Sequence, residues 1–132
     1  MRIMVDTNIL FSALLFPNSV PAKALLHAAH WHSIILCDHI IREFRDTTIK
    51  KRPDLLGDAD AFIAGLSHET VIAPQEPSKL INDPKDAPIL NAAILYEVDM
   101  IISGDMHFTQ LELERPKIMK AADYLRDMET EA

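Results

Sequence analysis

At 132 residues, 48% of them hydrophobic, the chain suits one domain folded around a single core, spanning residues 1–132 with no linker to divide it. Its 13 Lys and Arg against 20 Asp and Glu leave a formal net charge of −7, which excludes a passive nucleic-acid binder; a polyanionic substrate would need bound cations or a partner to supply positive charge. The single cysteine, Cys37, excludes an internal disulfide, and no apolar run reaches the roughly 18 residues that would point to a membrane span.

The first element is a strand, Ile3-Met4-Val5, apolar and too short for a helix. The pattern turns polar at Asp6-Thr7-Asn8, then Ile9, Leu10, Ala13 and Leu14 recur at helical spacing, so a helix follows and stops near Pro17. Asp6 therefore stands at the carboxyl end of a buried strand, at the mouth of the crevice where open α/β sheets bind their ligands. Capping of the helix competes as an explanation of Asp6 taken alone. It does not explain further carboxylates returning to the same end of the sheet. The same polar trio interrupts what would be the apolar stretch of a secretory signal, so a cytoplasmic location is expected.

A second helix starts between Ser19 and Pro21 and carries Leu25, Leu26, Ala29 and Trp31 on its apolar side. His27 and His30 share a face of it, but no acid or cysteine accompanies them and a metal role is not expected. Ser33 to Cys37 is the second strand, continuously apolar as parallel strands covered on both sides are. Asp38 fits an N-cap of a third helix with Ile40, Ile41 and Phe44 as its buried stripe. Glu43 lies one turn from Ile40 and borders that stripe, directed toward the sheet. The polar stretch Thr47 to Asp60 contains Lys50-Lys51-Arg52, the chain's compact basic cluster and a candidate contact for a phosphate backbone.

Asp58 to Leu66 reads as a short helix, Thr70 to Ala73 as a short strand and Pro74 to Ile81 as a loop. In Asn82-Asp83-Pro84-Lys85-Asp86-Ala87-Pro88, proline is harmless only in a first turn, so the helix begins near Asp86 and Asp83 stays in the approach. Ile89 to Tyr96 is apolar nearly all round and should be well buried. Asp99 to Ser103 is a parallel-type strand, and Asp105 follows it as Asp6 follows the first. His107-Phe108 open an irregular stretch, Lys117 to Met119 is a final strand, and Ala121 to Met128 a terminal helix extending from the body.

Strands alternating with helices predict a three-layer α/β/α domain with a mostly parallel central sheet. In such a fold Asp6, Asp86 and Asp105 share one edge, and Glu43 reaches it from the third helix. Two carboxylates about 5 Å apart repel by roughly 3 kcal/mol at an effective dielectric near 20, so a cluster of this kind calls for a cation or a proton. With no Cys or His at ligand spacing, an all-oxygen site suits Mg²⁺ or Mn²⁺ and not zinc. That chemistry points to metal-assisted phosphodiester hydrolysis.

Val5-Asp6-Thr7-Asn8, the acid of Ile40-Ile41-Arg42-Glu43-Phe44, Asp83-Pro84-Lys85-Asp86-Ala87 and Ser103-Gly104-Asp105, in this order, resemble the PIN domain family, particularly its VapC-like toxin group. The resemblance implies a Mg²⁺- or Mn²⁺-dependent endoribonuclease, a homodimer, neutralised by a cognate antitoxin. It makes Asp6, Glu43, Asp86 and Asp105 the catalytic, metal-binding acids, with Asn8 and Ser103 as supporting polar groups. Many members carry another acid two residues after the last; this chain has His107 there, which could bind metal or substrate. Two rivals are a PIN scaffold that binds RNA or a protein without cutting, and a receiver-type phosphoacceptor domain. The receiver would want adjacent acids after the first strand and a lysine after a late one, and Ser103-Gly104-Asp105 lacks that lysine.

Overall fold

The computed structural model describes residues 1–74, 87–104 and 113–131, the side chains of 129–131 excepted. Five strands, β1 (Arg2–Val5), β2 (Ser33–Cys37), β3 (Glu69–Val71), β4 (Met100–Ile102) and β5 (Lys117–Met119), form one sheet in the order β3-β2-β1-β4-β5, and all four pairings are parallel. Among the described residues six α-helices accompany them: α1 (Thr7–Leu15), α2 (Val20–Trp31), α3 (Asp38–Lys51), α4 (Leu56–Gly65), α5 (Ala87–Leu95) and α6 (Ala121–Glu131). Successive strand residues face opposite sides of a sheet, and Ile3, Met4 and Val5 are all fully buried, so helices cover both faces of the central strand. The α/β expectation holds. The receiver alternative does not, because a receiver sheet runs 2-1-3-4-5 and this one runs 3-2-1-4-5.

That order creates the feature that positions the site. The chain leaves β1 toward β2 and β3, then returns to the other side of β1 for β4 and β5, so the direction of winding reverses between β1 and β4. Helices on the two sides of such a reversal diverge and leave a crevice at the carboxyl edge. Val5 pairs with Ile102 at the ends of the two strands, and the Asp6 N–H continues the ladder to the Ile102 carbonyl at 3.3 Å. The first residues beyond β1 and β4 are Asp6 and Ser103, side by side at the crevice.

The helices follow local rules. Ser19 caps α2 through its hydroxyl, with proline in the first turn, and α1 ends before Pro17. On α3 the row Ile40, Phe44, Thr48 is wholly buried at a four-residue spacing, which carries the helix on to Lys51, into the polar stretch that begins at Thr47. The Thr48 hydroxyl donates to the Phe44 carbonyl, so its burial leaves no orphan. A short 3₁₀ turn, Pro53–Leu55, leads straight into α4, which starts two residues before the expected Asp58.

Three expectations are corrected. Leu26 and Trp31 were expected on the buried side of α2 and are 62% and 67% exposed; the helix instead buries Ala22, Ala24, Leu25 and Ala28, where small side chains allow close approach. Asp38 is not an N-cap but the first residue of α3: its Oδ1 accepts from the backbone N–H of His39 and, at 2.8 Å, of Ala73. It thereby ties the start of α3 to the chain leaving β3. The terminal helix does not extend from the body, because Tyr124 is fully buried and its hydroxyl meets His27 Nδ1 on α2 at 2.7 Å. Burial pushes the Tyr124 hydroxyl up to about 12. No single helix among the described residues is long and apolar enough to cross a membrane.

Candidate active site

Asp6 follows directly from β1, and its backbone is extended, as a residue flanking a helix start must be. Its two carboxylate oxygens do different work. Oδ1 accepts the Ile9 N–H at 2.9 Å and caps α1, while Oδ2 accepts a short hydrogen bond from the Ser103 hydroxyl. The capping account of Asp6 is correct and covers half of the group. Only 4% of Asp6 is exposed, and Ser103 is wholly buried, so an acid is held inside the protein where a charge is costly unless compensated.

Glu43 comes to the same place from α3. Its Oε1 accepts from the Thr7 hydroxyl at 3.1 Å and lies 3.7 Å from His39 Nε2, one turn earlier on the helix. The side chain is 30% exposed, which agrees with its expected position on the border of the apolar stripe. Thus a carboxylate 36 residues away is bonded to the residue next to Asp6. The Oε1 hydrogen bond from Thr7 is the first observation that ties α3 to the crevice.

Of the other expected site residues, Asn8 is exposed on α1, on the helix side opposite the core. Asp86, Asp105 and His107 lie outside the described residues; α5 begins at Ala87, the residue after Asp86. Lys50 and Lys51 end α3 and Arg52 follows it, two turns beyond Glu43, or ~10 Å by helical rise. Arg52 is paired with Asp54, which raises its already high affinity for the proton, and the Lys51 ammonium sits 5.8 Å above the Phe11 ring. The two lysines suit the negative end of the helix dipole. Sequence reasoning missed Thr7 and His39. The four-residue spacing from His39 to Glu43 was readable; the long-range bond of Thr7 was not.

Among the described residues no three Asp, Glu, His or Cys side chains converge as a complete metal site. The acids brought to this end of the sheet are Asp6, which accepts from Ser103, and Glu43, which accepts from Thr7, the residue next to Asp6. Two carboxylates with hydroxyl support form a hard oxygen set, the number and kind that Mg²⁺ or Mn²⁺ takes from protein while keeping waters and substrate phosphates. The set fits such an ion.

A family model described as a PIN domain matches residues 2–107. The chain belongs to the PIN domain family. Among solved structures, this PIN domain is similar to a chain of the crystal structure of VapBC2 from Rickettsia felis bound to a DNA fragment from their promoter, at a TM-score of 0.66 and 15% identity, covering 91% of this chain and 98% of that one. The likeness is one of fold. No curated protein sequence matches the chain.

Proposed function

We propose that this PIN domain is a Mg²⁺- or Mn²⁺-dependent endoribonuclease, the toxin of a toxin–antitoxin pair, acting in the cytoplasm as a homodimer. The observation that carries the proposal is the buried Asp6 carboxylate at the topological switch point, held by Ser103 on one side and joined through Thr7 to Glu43 on the other. Asp86 and Asp105, by their places in the sequence, complete the acid set. A bound divalent ion would supply acidification of a water and charge for the attacking and leaving oxygens of the phosphodiester. The chain's part is to hold Asp6 and Glu43 rigidly enough to take the ion, with Ser103 fixing Asp6. The ion would also provide the positive charge that a chain of net −7 lacks toward RNA.

An antitoxin partner is supported by an apolar groove of about 440 Å³ lined by Ala13, Leu14, Leu25, Leu26 and Phe62 between α1, α2 and α4, with Leu26 left 62% exposed. Exposed large apolar side chains grouped in this way mark protein interaction surfaces. A catalytically silent scaffold that binds RNA or protein would share that groove. It would use Asp6 as the cap of α1, but capping does not call for the second carboxylate, Glu43, on the neighbouring Thr7.

The test is cleavage of a panel of tRNA, rRNA, mRNA and single-stranded DNA with Mn²⁺, with EDTA, and with Asp6→Asn. RNA cleavage that needs Mn²⁺ and disappears in Asp6→Asn is expected. Cleavage unaffected by EDTA refutes the metal mechanism, and no cleavage of any nucleic acid favours the scaffold.

A further inference from the structure

Thr7 follows Asp6 in the chain, donates its hydroxyl to Glu43 and is not the cap of α1. Asp6 already caps α1 through Ile9, so the Thr7 hydroxyl is not needed for the helix end, and as the first residue of α1 it has no preceding turn to bond back to. It is buried, at 8% exposure, and its hydroxyl is spent on one tertiary bond, to Glu43 Oε1 at 3.1 Å. A valine would fill the same space. The hydroxyl is therefore explained by Glu43 and by nothing in the local backbone.

Glu43 needs such a partner. It is a long, rotamer-rich type of side chain at a partly exposed position, with His39 Nε2 3.7 Å from the same Oε1, and a carboxylate that must meet an ion together with Asp6 has to be held in one orientation. Asp6 gets its orientation from Ile9 and Ser103; the neighbouring residue passes orientation to Glu43. Both acids are thus aligned from one rigid point, the junction of β1 and α1.

We infer that Thr7 is a positioning residue: its hydroxyl fixes the Glu43 carboxylate relative to Asp6 so that the two can bind one divalent cation. The inference rests on the metal-nuclease reading above. Hydrogen-bonding partners behind metal ligands typically change metal affinity by about 10- to 100-fold.

The experiment measures Mn²⁺ affinity by the electron paramagnetic resonance of free Mn²⁺, alongside steady-state RNA cleavage, for wild type, Thr7→Val, Thr7→Ser and Glu43→Gln. Thr7→Val should weaken Mn²⁺ binding at least about tenfold and lower kcat with KM for RNA unchanged, while Thr7→Ser restores wild-type binding. Mn²⁺ binding by Thr7→Val equal to wild type, with Glu43→Gln impaired, overturns the role of Thr7 and leaves the metal site standing. Thr7→Ser as weak as Thr7→Val also overturns it, since the methyl group would then matter and the hydroxyl would not. Undiminished binding by Glu43→Gln overturns the metal reading itself, and this inference with it. Circular dichroism checks that the variants fold; if Thr7→Val does not, Thr7→Ala is held to the same expectation.

Discussion

The double duty of Asp6 separates two substitutions that a purely catalytic or purely structural residue would not. Asp6→Ala removes the cap on Ile9, which costs about 1 kcal/mol, and removes the charged acceptor of the buried Ser103 hydroxyl, a bond worth about 1.5–3 kcal/mol. Relief from burying a charge offsets part of this, so a net loss of about 2 kcal/mol is expected, or a fall of ~6–8 °C in Tm for a domain of this size. Asp6→Asn behaves differently. Asparagine caps a helix as well as aspartate does, its amide still meets Ser103, and no charge is buried, so in EDTA its Tm should equal or exceed that of wild type. With Mn²⁺ at 100 times its Kd, wild type gains about 2.7 kcal/mol, and Asp6→Asn should gain almost none of it. Differential scanning calorimetry of the three proteins with and without Mn²⁺ reads all of these shifts. An Asp6→Asn protein as unstable as Asp6→Ala, or stabilised by Mn²⁺ as wild type is, would refute the division of labour between the two oxygens.

Three further predictions concern the rest of the chain. The Arg2 backbone N–H, 2.8 Å from Asp99 Oδ2, and the nearby Arg115 guanidinium hold the Asp99 carboxyl below the ordinary carboxylate range. Its contribution is then complete above the unfolded value near pH ~4 and lost as pH falls through the lower folded value, so urea unfolding between pH 2 and 6 should show a shallower acid loss in Asp99→Asn than in wild type. Burial pushes the Cys37 thiol up to about 11, so iodoacetamide at pH 8 should leave the native protein unlabelled and label it on unfolding; rapid native labelling would contradict the core assignment. Replacing both Lys50 and Lys51 with alanine should flatten the salt dependence of RNA binding by about 0.7 per lysine if they touch single-stranded phosphates, with kcat unchanged because both lie two turns along α3 from Glu43; a fall in kcat would bring them into the site itself.

β1, β2 and β4 were legible because each is a short apolar run buried on both faces, a pattern that survives without knowledge of its neighbours; β2 falls at the expected residues, and so does the edge strand β5, although it is only partly buried. Asp6 was legible for the same reason, as the polar residue where such a run stops, and Glu43 from its angle to Ile40 on one helix. What links them was not legible. A bond spanning 36 residues depends on how α3 packs beside α1, and nothing in the local sequence of Thr7 distinguishes a hydroxyl aimed at its own helix from one aimed at another.

The misplacement of Leu26 and Trp31 has a related cause and a different consequence. α2 has apolar residues on more than one side, so local periodicity cannot choose which side faces the sheet; the choice falls to close packing, which takes the alanine side inward. The larger apolar side chains are then left outside, where Leu26 lines the groove with Leu14 and Phe62. A chain selected only to fold alone would gain solubility by placing charges there, as it does on the outer side of α3 with Arg42, Arg45 and Asp46. The contrast between the two helices is therefore an argument that the α2 side is normally covered, and it would fail if Leu26→Lys left complex formation with a cognate antitoxin as tight as in wild type.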